Sequence, residues 1–533
     1  MQHALSQELL AFLDASPTCF HAVKNLADRL DEAGFTPLTE TEVWELSPGS
    51  SYYVERNGSA LIAFTIPTGG VHSWRVSASH SDSPCLKLKE NPELAAEGHY
   101  VRLNVEGYGG MIVPSWFDRP LSLAGRVIVR ANGELQSRLI NFDRDMLLIP
   151  SVAPHFKRAG EKDELNMQTD LLPIYGDGAA CGTFLQMIAE SACVSEENLL
   201  GHDLFVYPRQ KGSVWGPSGE FIASPRLDDL QCAFACFKGF LAGQRQAHAS
   251  MFCLFDNEEV GSLTRQGAAS TFLRDTLERI CESLGMSRQA YLAAVADSLM
   301  VSADNAHAVH PAHPEKSDPG TRPYLNEGIV LKYHAAQNYC TDGLSGAMFK
   351  DICHRAEVPY QVFTNRSDRR GGGTLGNLST AQVSFPTVDL GLPQLAMHAP
   401  YEMAGTKDTL YLKRAMQLFF AYEREARGAK DQGSAYRLRH RHYPLQRTVH
   451  QFWKHCMERI AELLHDTVTR HAQRKRRGGR MLSTPPAAPA AARVPPRSTR
   501  GILPPPDPPA NKVFPYPNAS RQQPQPRSIR TSA

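Results

Sequence analysis

A chain of 533 residues exceeds what one hydrophobic core usually serves, and 42% hydrophobic with 21% charged residues is the balance of a folded protein rather than a fibrous or wholly disordered one. The formal net charge of +2 conceals an asymmetry: from Ala426 onward 21 Lys and Arg face 5 Asp and Glu, leaving 36 against 50 in residues 1–425. An acidic body with a basic tail follows, and no run reaches the roughly 18 apolar residues that would span a bilayer.

In chain order, Leu5, Leu9, Phe12 and Leu13 fall on one helical stripe, so the N-terminus reads as a helix and not as a secretory signal. SPTCFHAVKNLADRLDEAGF predicts a second helix, with Ser16 and Thr18 as caps, Pro17 in the first turn and Gly34 as the stop. YYVERNGSALIAFTIP alternates around Asn57-Gly58, a hairpin signal, and WRVSASH brings a strand up to His80. From about residue 90 to 223 short alternating runs, a second Asn-Gly turn at 132 and 133 and many glycines predict an inserted β-rich domain.

Past SPRLDDL, apolar strands alternate with long helical stretches, which implies an α/β fold with a largely parallel sheet, since parallel neighbours need a crossover. The expected domains are therefore 1–89 and 224–425 for the catalytic fold, 90–223 for the insert and 426–533 for the tail. Within the tail, residues 447–471 have the spacing of one amphipathic helix; RKRRGGR and a stretch with 14 prolines after Leu482 predict disorder. The 11 cysteines include no C-x-x-C pair and several sit in apolar patterns, so reduced core thiols and a cytoplasmic location are expected.

Four strand-like runs end in groups able to bind a metal: VSASHSDSP with His80 and Asp82, SMFCLFDNEEVGS with Asp256, Glu258 and Glu259, DSLMVSADNAH with Asp304 and His307, with His310 close behind, and TVDLGLPQLAMHA with His398. Carboxyl ends of strands in an open α/β sheet converge on one crevice, which would gather His80, Glu259, Asp304 and His398, with Asp228 arriving from SPRLDDL. Clustered carboxylates repel unless a cation neutralises them, and two imidazoles with three carboxylates suit two divalent ions, Zn²⁺ above all, with an open position for water. Of the adjacent glutamates one binds metal and the other takes a proton from the water. Taken singly, each group has a plainer reading: a strand-end His or Asp caps a helix, and Glu-Glu marks a helix N-terminus. Their succession at four strand ends is what points to metal.

The segments SHSDSPCLKLK, SPRLDDL, FDNEEVGSLTRQGAAS, SADNAHAVHPAHPEK, NRSD and PQLAMHAPYEM, in this order, resemble the motifs of the aspartyl aminopeptidase family of dinuclear zinc exopeptidases, over residues 3 to about 425. The resemblance implies His80, Asp304 and a bridging Asp228 on one zinc, with Glu259, His398 and the same Asp228 on the other. It also implies Glu258 as general base and Asp82 as the carboxylate that fixes the His80 ring. Further implications are an α/β/α catalytic domain whose β-rich insert drives assembly into a homo-dodecamer, and peptide substrates losing an N-terminal residue, acidic by the family's name.

Lys332 matches a lysine that faces the substrate side chain, against a structural role, and His155 one that reaches a neighbouring subunit's site, against plain packing. One departure stands out: NRSDRRGGGTLGNLST, residues 365–380, carries Arg369, Arg370 and Gly373 where the family usually has other residues, which predicts altered substrate positioning and intact chemistry.

Two competing readings accompany this one. A dinuclear deacylase of N-acyl amino acids would use the same chemistry. An inactive relative would bind nucleic acid through the basic tail, but the tail has few aromatics and no recognisable module, so specific binding is not expected. The compositional break at 426–430 also fits out-of-frame or fused coding sequence.

Overall fold

The computed structural model describes residues 2–156, 164–243, 248–369 and 371–422. The expectations for the tail, its amphipathic helix and its disorder included, lie outside them. Both N-terminal helices form where the apolar spacing places them, at Gln2–Ala15 and Cys19–Glu32. The second starts two residues after Pro17, and the Thr18 hydroxyl bonds His21 Nδ1 at 2.8 Å instead of capping a backbone N–H.

A nine-stranded sheet runs in the order Thr36–Leu38, Ser51–Arg56, Ala60–Thr65, Ala249–Phe255, Trp74–His80, Leu299–Ala303, Thr387–Gly391, Ile329–Tyr333 and Tyr360–Thr364. Its central four strands, from Ala249–Phe255 to Thr387–Gly391, are mutually parallel, as the strand–helix alternation demanded. Alternate residues bury opposite faces. Leu61, Ala63, Phe252 and Leu254 join one core with the helices Leu227–Ala242, Gly343–Arg355 and Asp408–Phe420. Ile62, Phe64, Met251 and Cys253 join another with Phe272–Ser283 and Arg288–Ala296. Burial of both faces under helices makes the α/β/α layering and explains why these strands read as unbroken apolar runs. Asn57 and Gly58 both take positive φ, 59° and 65°, the conformation that a two-residue hairpin turn requires.

A second sheet of six antiparallel strands, ordered Glu134–Asn141, Leu121–Ala131, Leu199–Pro208, Cys85–Ala96, Tyr100–Tyr108 and Ile174–Asp177, closes on its own core around Trp116, Leu123, Phe184 and Leu204. It begins at Cys85, not residue 90, because CLKLKENPELAA is one strand with a register shift between Leu88 and Glu93. It ends at Pro208. Residues 213–215 and 221–224 instead pair into a third sheet with Glu402–Gly405, Pro393–Leu395 and Ala306–His307.

A carboxylate and imidazole cluster at the strand ends

His80 is the last residue of the strand Trp74–His80 and is fully buried. Next to it in the sheet, Ala249–Phe255 leads through Asp256 and Asn257, whose φ of 62° turns the chain, into the one-turn helix Glu258–Val260. On the other side Leu299–Ala303 delivers Asp304. His398 departs from expectation: its strand stops at Gly391, where a Cβ would collide with the Asp304 carbonyl oxygen, and the chain crosses to the third sheet. His398 lies in the loop between Pro393–Leu395 and Glu402–Gly405, at φ 68°. Asp228 sits at a non-helical position (φ −82°, ψ 109°) in the first turn of Leu227–Ala242, behind a cis peptide to Asp229.

These side chains meet. Donor atoms of His80, Asp228 and Asp304 lie within 4.8 Å of one another, as do those of Asp228, Glu259 and His398 and those of His80, Glu258 and Glu259. Asp228 spans the first two groups, with Oδ1 3.4 Å from His80 Nε2 and Oδ2 3.5 Å from His398 Nε2. His398 Nε2 is also 3.5 Å from Glu259 Oε2. All line one cavity of about 180 Å³ together with Lys332, Tyr339, Gly372 and Gly373.

The backs of these groups are held. His80 Nδ1 is 3.0 Å from the Asp82 carbonyl oxygen and 3.3 Å from its Oδ1, which leaves Nε2 facing the cavity. Asp82 does more than orient that ring. Its Oδ1 accepts the Glu258 N–H at 3.1 Å, and its Oδ2 accepts the Glu259 N–H at 3.2 Å and the Tyr108 hydroxyl at 2.7 Å. One carboxylate thus sets both the imidazole and the adjacent glutamates.

Glu402 plays the matching part on the other side, accepting the backbone N–H of Asp228 at 3.0 Å and of His398 at 2.8 Å. Sequence reasoning missed it, although it stands four residues past His398 in the quoted PQLAMHAPYEM. Tyr108, Gly109 and Gly110 were missed as well. They close and follow the six-stranded sheet's strand Tyr100–Tyr108, and a Cβ on Gly109 (φ +73°) would lie 3.0 Å from that of Glu259.

The charges cannot all be borne. Burial, reinforced by Asp228, pushes the Glu259 carboxyl well above its ordinary range. Burial also lifts Glu258 to about 7, with His80 opposing and Asp304 and Asp82 adding to the rise, and lifts Glu402 to about 8. Asp304 is raised by burial despite Lys332, whose Nζ is 3.6 Å from Oδ1. Asp228 alone goes down: burial is outweighed by the two imidazoles. For His80, burial is likewise outweighed, by Asp228 and Asp82, and its pKa rises.

His80 Nε2, Asp228 Oδ1 and Glu259 Oε1 are all buried without a hydrogen-bond partner. Unpartnered imidazole nitrogen and carboxylate oxygens converging in one cavity fit a divalent cation, which would neutralise the acids and satisfy those atoms together.

The remaining predicted positions divide. Lys332 lines this cavity from the strand Ile329–Tyr333, and His307 lines it too. His155 does not: it is exposed in the one-turn helix Pro154–Phe156. The departing loop meets the cavity through Gly372 and Gly373. Among the described residues no helix is long and apolar enough to cross a membrane.

Residues 12–420 match the sequence model of the family described as aminopeptidase I zinc metalloprotease (M18). The chain is 42% identical over 424 residues to a probable M18 family aminopeptidase 2 of Clostridium acetobutylicum, covering 78% of this chain and 98% of that protein. The fold is similar to a chain of the cryo-EM structure of the Ape4 and Nbr1 complex, at TM-score 0.76 and 34% identity, over 79% of this chain and 86% of that one. It is also similar to the S. cerevisiae mApe1 dodecamer, at TM-score 0.68 and 29% identity, over 78% and 96% of the two chains. The resemblance seen in the six motifs holds across the whole α/β body, and with it zinc as the metal. The chain belongs to the aminopeptidase I zinc metalloprotease family, M18, and is a metal-dependent aminopeptidase.

Proposed function

We propose that the cluster holds two zinc ions and removes the N-terminal residue of peptides with Glu258 as general base. One observation carries this reading: Asp228 is common to two three-residue donor groups, with His80 and Asp304 and with Glu259 and His398, so that it would be shared if both groups held an ion. When bound, the ions supply Lewis acidity to the scissile carbonyl and to a water. Glu258 takes the proton of that water and returns it to the departing amine. Asp82 keeps Glu258 in reach of the cavity through the backbone N–H it accepts, and keeps His80 Nε2 turned inward.

A preference for an acidic N-terminal residue rests on Lys332, the single lysine or arginine among the described residues lining this cavity. A carboxylate entering beside it would form a charge-assisted contact away from bulk water.

The dodecamer of the yeast relative extends to this chain in the same reading. His155 stands next to Phe156 and near Val152, which are 83% and 60% exposed, a segment that a neighbouring subunit would cover and from which His155 would reach that neighbour's site. A cytoplasmic location is supported by ten cysteines, all free among the described residues.

Metal analysis and turnover of Glu258→Gln and His80→Ala test the assignment. The first is expected to keep two zinc ions per chain and lose turnover; the second is expected to lose metal. A Glu258→Gln protein with wild-type turnover, or one that has lost a zinc, ends Glu258's role as base. Asp-, Glu- and Leu-amides beside N-acetyl amino acids fix the substrate, because hydrolysis of only the acylated set would replace the aminopeptidase by a deacylase. Light scattering on the full chain and on residues 1–427 reads the assembly.

A further inference from the structure

A second cavity, of about 270 Å³, adjoins the one holding the acids and shares His307, Phe363 and Met397 with it. A separate hollow, between the six-stranded sheet and Arg226, has no lining residue in common with the acid cavity. An aminopeptidase cleaves after one residue, so the first residue fills the space beside the cluster and the rest of the peptide continues into whatever adjoins it. The annex behind His307 and Phe363 shares a wall with that space and offers such a continuation.

Its lining is basic. Lys316, Arg366 and Arg369 face one acid, Asp318, whose Oδ1 already accepts the N–H groups of Gly320 at 2.8 Å and Thr321 at 3.0 Å. Arg366 is committed: Nε and Nη2 bond the two oxygens of Asp368 at 2.8 Å each, and Nη1 bonds the Glu315 carbonyl at 2.9 Å. Lys316 and Arg369 enter no ion pair among the described residues, although Glu315 and Asp368 lie near enough to feel their charge, and the Asn365 amide on the same wall is turned toward the Tyr339 hydroxyl. Two cations outside any ion pair, on the wall of a cavity that adjoins the cluster's own, describe a carboxylate site.

We propose that this annex binds a carboxylate on the leaving fragment of the peptide, either the side chain of an acidic second residue or the free terminus of a dipeptide, through Arg369 and Lys316. The inference rests on the aminopeptidase reading and extends it past the scissile bond.

The test holds the N-terminal residue constant and varies the residue after it. One arm compares X-Glu-Ala-amide, X-Gln-Ala-amide and X-Lys-Ala-amide; the other compares the dipeptide X-Ala with X-Ala-amide, X being the residue released fastest. A charge-assisted contact predicts kcat/KM about tenfold higher for the acidic member, carried by KM. In the Lys316→Gln, Arg369→Gln double variant that ratio is expected to fall below about twofold. Preference in the first arm assigns the annex to the side chain, and in the second to the terminus.

Equal kcat/KM in both arms overturns the proposal, and so does a preference that survives the double variant. Equilibrium binding of the same peptides to Glu258→Gln gives the second readout. If no peptide is hydrolysed the aminopeptidase reading fails, while tighter binding of acidic peptides still decides the annex.

Discussion

Replacing Asp82 by Asn changes almost no volume and removes one charge, yet the hydrogen bonds leave the amide no good orientation. With its NH₂ in place of Oδ1 it meets the Glu258 N–H and the His80 ring edge; in place of Oδ2 it meets the Glu259 N–H, 3.2 Å away in the wild type. At least one charge-assisted bond is lost whichever way it turns, about 1.5–3 kcal/mol, and a donor is left facing a donor. A carboxylate behind a metal-binding imidazole governs roughly 10- to 100-fold in metal affinity, or about 1.4–2.7 kcal/mol, the same size.

The metal-free protein feels an opposing effect, because Asp82 is one of the charges that raise Glu258 and Glu259, and its removal relieves that repulsion. Zinc affinity in chelator-buffered titrations is therefore expected to fall roughly 10- to 100-fold, with the zinc-loaded Tm dropping more than the metal-free Tm. An Asp82→Asn protein that binds zinc within about twofold of wild type would refute the role given to Asp82.

Three further outcomes rest on the same geometry. Tyr108→Phe deletes the hydroxyl that donates to Asp82 at 2.7 Å and accepts from Asn257 Nδ2 at 2.9 Å; unfolding in urea should become easier by about 1–2 kcal/mol, and kcat/KM should fall, showing that the six-stranded sheet supports the chemistry. Gly109→Ala places a Cβ at φ +73° and 3.0 Å from the Glu259 Cβ; about 1–3 kcal/mol of strain is expected, together with zinc content after gel filtration below that of wild type.

Asp408 is buried, and burial pushes its carboxyl up to about 7 although it accepts the N–H groups of Asn326 at 2.7 Å and Gly328 at 3.1 Å. The folded state binds this proton more tightly than the unfolded chain does, so its contribution to stability is full below about pH 4 and is lost as pH rises toward 7. Urea midpoints of zinc-loaded wild type and Asp408→Asn at about pH 5 and pH 8 should show that component missing from the variant.

Much of the body was legible in the order of residues because the signals are local. Apolar runs that bury both faces mark central parallel strands, Asn-Gly pairs at 57–58 and 132–133 supply the positive φ of hairpin turns, and the groups at the strand ends declare themselves by position. His80, Glu258, Glu259 and Asp304 needed only the rule that neighbouring parallel strands end together, which is a property of hydrogen-bonded registers.

The rest depends on contacts between residues far apart in the chain, which no local pattern announces. The change of character placed the insert's start near residue 90, yet the strand Cys85–Ala96 begins before it and pairs with Tyr100–Tyr108 through a register shift. Glu402 gives no local sign of its work: it reaches Asp228, 174 positions away, because the third sheet folds back beside it. Tyr108 likewise meets Asn257 across 149 positions. A sequence names the charges it carries; which of them are buried together, and so must share a cation, is settled only when sheets from distant segments close over one another and exclude water.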